Sequence, residues 1–206
     1  MKSKKTGDLE IWNQFRKGEN FALSFIYSQN IEFLYQYGLK FTSKRDLIED
    51  AINDLFLDLI RNRKTIGETD NIRFYLMRSF RRKLVRELKK ELRYSDNLLS
   101  EVFFDVSYNI EDEIIHEESK KNIYKCLSLA IEKLSPRQKE AIYLKFKSGF
   151  DYNDISEIMD MEIDSSRNLI YRAIKSLKKS ISKYSDGTVL IFIFMKLRTL
   201  PSSNTI

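Results

Sequence analysis

Apolar residues in the 206-residue chain recur at spacings of three and four, seldom at two, which predicts helices almost throughout. Leu9, Trp12 and Phe15 open the series in a short helix capped by Asp8 and ended by Gly18. A longer helix starts at Asn20 and brings Phe21, Phe25, Leu34, Tyr37 and Phe41 into a core. Ser43-Lys44-Arg45-Asp46 marks a third start. That helix runs to about Ile60, with Leu47, Ile48, Ala51, Ile52, Leu55, Phe56, Leu59 and Ile60 as its inner stripe. Arg61 to Asp70 reads as a loop punctuated by Gly67. Asp70 or Asn71 then caps a helix that turns Phe74, Leu76, Met77, Phe80, Leu84 and Leu88 inward.

The pattern lapses after residue 94 and resumes near Asp112, where Ile115, Ile123, Leu127, Ala130 and Ile131 predict a buried edge running toward Leu134. Ser135-Pro136-Arg137-Gln138 is a capping box with proline at the first helical position, where the missing N–H costs nothing. The helix it opens carries Ala141, Ile142, Leu144 and Phe146 and stops at Gly149. Asp151 caps a short helix, Tyr152 to Met159, with Ile155, Ile158 and Met159 on one apolar edge. After a turn from Asp160 to Ile163, Asp164 caps a longer helix to about Lys179, with Leu169, Ile170, Ala173, Ile174 and Leu177 inward. Two helices so joined have the proportions of a helix-turn-helix, whose second helix enters the major groove of DNA. The expected fold is therefore all-α. It comprises two small helical domains, 8–94 and 112–184, joined by a linker at 95–111 and followed by a tail at 185–206.

Composition agrees, since 6 Gly and 2 Pro leave few breaks while 14 Phe and 11 Tyr supply core. The formal net charge of +6 favours a polyanionic partner. Cys126 alone excludes an internal disulfide and suits a reducing cytoplasm, and His116 alone cannot build a histidine metal cluster. No metal and no cofactor are expected. No signal peptide is read ahead of the first helix. The longest apolar run, Val189 to Met195, is far shorter than the roughly 20 residues that span a bilayer, so no membrane insertion is expected. The apolar stretch Val189 to Leu197 is read as packing back on the domain, the other reading being cover by an inhibitory partner.

The placement of the charges says more than their sum. On the third helix Asp46, Glu49, Asp50, Asn53, Asp54, Leu57 and Asp58 share the outer face, and Asp50, Asn53, Asp54 and Leu57 fall at i, i+3, i+4 and i+7. Such a face repels DNA and suits a protein with basic residues around an apolar pocket. The fourth helix reverses the sign with Arg73, Arg78, Arg81, Arg82, Lys83, Arg86, Lys89, Lys90 and Arg93. Interleaved with Phe74 and Tyr75, these cations are what single-stranded nucleic acid needs. From Ser95 to Ser119 the chain carries eight acids and no Lys or Arg, and Leu98, Leu99, Val102, Phe103 and Phe104 suggest that this linker docks on something. On the last helix Ser165, Asn168, Arg172 and Lys175 form one outer stripe beside Arg167 and Tyr171. Arginine can chelate guanine and asparagine adenine, while lysine holds phosphate.

Leu134-Ser135-Pro136-Arg137-Gln138 through Arg172-Ala173-Ile174-Lys175-Ser176-Leu177 resembles the promoter-reading C-terminal domain of bacterial RNA polymerase sigma factors, especially the extracytoplasmic-function (ECF) group. Ile48-Glu49-Asp50-Ala51-Ile52-Asn53-Asp54-Leu55-Phe56-Leu57 is similar to that family's polymerase-binding helix, and Tyr75-Leu76-Met77-Arg78-Ser79-Phe80-Arg81 to the start of its minus-ten helix. The resemblance implies that Asp50, Asn53, Asp54 and Leu57 meet a coiled coil of core RNA polymerase. It implies that Arg63, Lys64, Asn71, Arg78, Arg81, Arg82 and Arg86 capture the opened minus-ten element, where a base is flipped out. It further implies that Ser165, Arg167, Asn168, Arg172 and Lys175 read the minus-thirty-five element as duplex promoter DNA. An anti-sigma factor is a further partner that it admits. Asn53, Tyr75 and Arg82 stand where the family more often has glutamine, tryptophan and asparagine, which leaves the base preference open.

Two other classes fit parts of this pattern. A polymerase-independent helix-turn-helix regulator with an N-terminal sensing or dimerisation domain binds its operator alone. A magnesium enzyme built on Glu49, Asp50 and Asp54 lacks a second carboxylate cluster and a phosphate loop.

Overall fold

The computed structural model describes residues 2–94, 104–105 and 128–181, and among these every regular element is a helix. The chain divides into two compact units, 1–102 and 103–206.

The first unit holds α1 (Lys2–Lys17), α2 (Asn20–Gly38), α3 (Arg45–Asn62) and α4 (Ile72–Tyr94). Trp12, Leu34, Tyr37, Ile48, Leu76 and Phe80 are fully buried at its centre, and each such side chain contributes about 1.5–3 kcal/mol by leaving water. Gly18 ends α1 with φ 98°, in the left-handed region that favours glycine. Asp8 does not cap α1, which begins well before it; its carboxylate accepts from the backbone N–H of Ile72 at 3.1 Å, the first residue of α4. That helix has a second cap in Asn71, whose amide oxygen accepts from the N–H of Phe74 at 3.1 Å. Between them, the Trp12 indole N–H donates to the carbonyl of Gly67 at 2.8 Å and ties the 63–71 loop to α1.

The expected core places of Phe21 and Phe25 are not realised: they are 65 % and 42 % exposed, their rings 6.2 Å apart on the outside of α2. Ala22, Ile26, Asn30 and Leu34, one residue out of step with them, take the inner face. Asn30 sits there without penalty because its amide donates to the carbonyl of Ile26 at 2.8 Å. Ile60 is also misplaced by the sequence, being 39 % exposed. Gly38 closes α2 where α3 passes nearest, and a Cβ there would lie 2.6 Å from Ile48 Cγ2.

In the second unit, residues 128–132 are helical, followed by α5 (Pro136–Ile142), a π turn (Tyr143–Lys147), α6 (Tyr152–Ile158) and α7 (Ile163–Ile181). The reciprocal caps at Ser135/Gln138 and Asp151/Asp154 are both formed. The π turn departs from the single helix expected to Gly149: the N–H of Ser148 reaches back five residues to the carbonyl of Tyr143 at 3.0 Å. Gly149 then takes φ 79° and the N–H of Phe150 donates to the carbonyl of Leu144 at 3.1 Å, the long closing bond of a glycine-terminated helix.

Asp164 is not the cap of α7, which starts one residue earlier, the N–H of Ser166 donating to the carbonyl of Glu162 at 3.0 Å. Of the linker, Phe104 and Asp105 are described, and Phe104 is docked, 1 % exposed and edge-on to Tyr143 with ring centroids 5.8 Å apart. The expected positions of Leu98, Leu99, Val102, Phe103, Ile115, Ile123 and Leu127 lie outside the described residues, as do His116, Cys126 and the tail with Val189 to Leu197. Among the described residues no helix is long and apolar enough to cross a membrane.

Candidate nucleic-acid and protein interfaces

Three faces collect the side chains singled out in the sequence. The first is the outer side of α3. Burial of Ile48, Ala51, Ile52, Leu55, Phe56 and Leu59 against α2 and α4 turns Asp50, Asn53, Asp54 and Leu57 to solvent, Leu57 being 47 % exposed. Asp58 leaves this group: it pairs with Lys83 of α4 at 2.5 Å and holds its carboxyl below the usual carboxylate range through that hydrogen bond. Beyond Asp54 the acidic row is therefore partly neutralised, and an apolar edge takes over. Ile60 lies three residues beyond Leu57, and Tyr27 of α2, 38 % exposed, packs its ring 4.9 Å from Phe56. Sequence reasoning missed Tyr27 and Ile60 here, because each sits at the border of a core stripe. Among the described residues no three of His, Cys, Asp and Glu come together to hold a metal ion, Glu49, Asp50 and Asp54 included.

The second face belongs to α4 and the loop before it. Arg82 and Arg86 are exposed, Arg78 and Arg81 half-buried, and Arg78, Arg82 and Arg86 follow one another at four-residue intervals, roughly 6 Å apart along the axis. Glu87 takes part of the charge, accepting from Lys90 at 3.0 Å and from Arg86 Nε at 3.2 Å, and its carboxyl lies below the usual range, chiefly through the Lys90 bond and then the Arg86 one. Arg63 folds back against the α1–α2 turn, its guanidinium 3.3 Å from where a Cβ on Gly18 would stand. Lys64 is exposed at the rim of an open cleft of about 460 Å³ shared with Asn13, Arg16, Lys17 and Glu68. Asn71 spends its amide oxygen on the α4 cap. Arg73 stands apart from the stripe, 4.5 Å above the Phe33 ring, with its pKa drawn down by burial. Tyr75 packs 4.8 Å from Trp12, and burial raises its phenol pKa.

The third face is on α7. Ile170, Ala173 and Leu177 are buried, and Ser165, Arg167, Asn168, Arg172 and Lys175 are all exposed, with Tyr171 among them at 63 %. Asp164, in the first turn, holds Arg167 at 3.1 Å. Ser166, which the sequence did not mark, is fully buried, and its hydroxyl bonds the carbonyls of Ile163 at 2.7 Å and Tyr152 at 3.1 Å. The bond to Tyr152, shared with the one to Ile163 within α7, ties α7 to the start of α6, so the exposed stripe stands on a two-helix corner.

Comparison with known proteins gives this arrangement a context. Residues 124–177 match the family Sigma-70, region 4. The ECF RNA polymerase sigma factor BldN of Streptomyces coelicolor is 24 % identical over 174 residues, which is 83 % of this chain and 64 % of that protein. The chain thus spans a little under two thirds of this relative's length. In fold it is similar to the sigma factor RpoE from Bartonella quintana, solved with the anti-sigma factor NepR (TM-score 0.54, 20 % identity, 77 % of this chain and 96 % of that one). It is similar also to CnrH, solved with the cytosolic domain of CnrY (TM-score 0.55, 15 % identity, 86 % and 99 %). The resemblance to ECF sigma factors drawn from the motifs is thereby borne out, together with the all-α fold.

Proposed function

We propose that this chain is an ECF sigma factor: a cytoplasmic, non-catalytic initiation subunit that binds core RNA polymerase and directs it to promoters. The observation that carries the reading is the pairing, within one small unit, of an acidic and apolar face on α3 with a basic stripe on α4. A DNA-binding protein gains nothing for DNA from exposing Asp50, Asp54 and Leu57 together. A protein partner with a basic and apolar helix does use them, Leu57 filling a pocket while the carboxylates meet cations at the rim. The partner meant is the coiled coil of core polymerase.

Arg78, Arg81, Arg82 and Arg86 then lie along the opened minus-ten strand, with Arg63, Lys64 and the 63–71 loop around the flipped base and Asn71 shaping that loop as the α4 cap. Ser165, Arg167, Asn168, Arg172 and Lys175 enter the major groove of the minus-thirty-five element. Opening the duplex needs no catalytic group, because binding energy for the separated strand shifts the pairing equilibrium. Each DNA face alone binds weakly and with strong salt dependence, and carriage on one polymerase raises their effective concentrations. An anti-sigma factor competing for the α3 face is a further partner of this reading. Run-off transcription with purified core polymerase and a promoter library tests it. Initiation from a defined subset supports it; no initiation and no complex with core sinks it.

A further inference from the structure

Phe104 is 1 % exposed and edge-on to Tyr143, while the Asp105 carboxylate lies 3.6 Å from the ammonium of Lys139, whose side chain is only 9 % exposed. Both seats belong to α5 and the π turn that continues it, the segment immediately before the helix-turn-helix. Burial of a phenylalanine ring to this extent favours the seated segment over the released one by roughly tenfold or more.

We propose that Phe104, helped by Asp105, is a positioning residue for promoter spacing: by fastening the linker to α5 it shortens the tether between the two DNA-binding units. From Tyr94, the end of α4, to a domain start at residue 112 there are eighteen peptide steps, a reach of roughly 63 Å when extended. Fastened at Phe104, the tether has ten steps and a reach of roughly 35 Å. The difference of about 28 Å corresponds to about eight base pairs of duplex at 3.4 Å each. A short tether raises the effective concentration of the second DNA contact at one separation and lowers it steeply beyond, and a long one flattens that preference. The inference rests on the sigma-factor reading.

The test uses full-length protein with core polymerase on promoters whose spacer grows one base pair at a time. A Gly/Ser insertion of about six residues between Asp96 and Asn97, ahead of the anchor, adds roughly 20 Å of reach. The same insertion between Ser107 and Tyr108, behind the anchor, adds reach only if the anchor does not hold. Both keep Phe104, so neither removes a buried side chain from the second unit. The expected result is that the first insertion raises relative activity at a spacer about two base pairs over the optimum by about threefold. The second leaves the wild-type profile unchanged, and Phe104→Ala follows the first. Coinciding profiles for the two insertions overturn the anchor while leaving the sigma reading intact. Failure of the wild type to initiate at any spacing overturns the sigma reading and this inference with it.

Discussion

Replacing Gly38 with alanine adds one carbon where α2 and α3 approach closely. The new Cβ falls 2.6 Å from Ile48 Cγ2, 3.2 Å from Ile48 Cγ1 and 3.3 Å from Phe80 Cζ. Ile48 and Phe80 are both fully buried, so neither has free space to retreat into. Overpacking of this kind costs about 1–3 kcal/mol, and because Gly38 is the last residue of α2 alanine's helix propensity returns well under its interior value of about 1 kcal/mol, so a net loss of about 1–2 kcal/mol is expected. Trp12, the one tryptophan, is fully buried in the same unit and reports its unfolding by fluorescence. In urea the midpoint should fall by about 1 M with the slope unchanged. Combined with Ile48→Ala, which removes both clashing carbons, the change should cost less than the sum of the two single changes. A midpoint equal to or above wild type, or strict additivity of the two changes, would refute the close-approach argument.

The two caps should each be worth about 1 kcal/mol, so Ser135→Ala and Asp151→Ala lower the melting temperature of the second unit by several degrees in calorimetry. Tyr143 has its phenol pushed up to about 12 by burial. Its contribution, about 3 kcal/mol at most, is present below pH about 10 and is lost as pH rises through about 12. A tyrosinate absorbance titration followed by circular dichroism should therefore show Tyr143 ionising together with loss of helix. Asp58 has the opposite sign: its depressed pKa gives stability present above pH about 3.9 and lost as pH falls through the lower folded value. Lys83→Met should bring the Asp58 carboxyl resonance back toward the usual range in an NMR titration.

What the sequence disclosed was local. Ser135 with Gln138, Asp151 and Gly149 act within one turn of their own helix, so their partners are written beside them. Asp8 shows the limit, since the N–H it accepts from belongs to Ile72, 64 residues away. Phe21 and Phe25 misled because size was taken for burial, while the inner stripe of α2 is set by small or bonded residues such as Ala22 and Asn30. The need for glycine at position 38 comes from Ile48 of another helix and has no local mark. The candidate faces were more legible, because exposed charges at three- and four-residue spacing need no tertiary knowledge. One of their members changed meaning through a tertiary contact, Asp58 turning to Lys83, while Asn71 took the cap role its sequence position had marked. Tyr27 joined the α3 face only through the packing of α2 on α3, and Ile60 by lying outside the buried stripe of its own helix.

The claim that one surface serves polymerase and another serves DNA is tested most directly by measuring core-polymerase affinity for Asp54→Arg and Arg172→Ala side by side. Asp54→Arg should weaken the complex by about tenfold or more, the loss of one well-placed interface residue. Arg172→Ala should bind core as wild type does and lose transcription only from promoters with a minus-thirty-five element. Unchanged core affinity for Asp54→Arg together with a loss for Arg172→Ala would contradict the account.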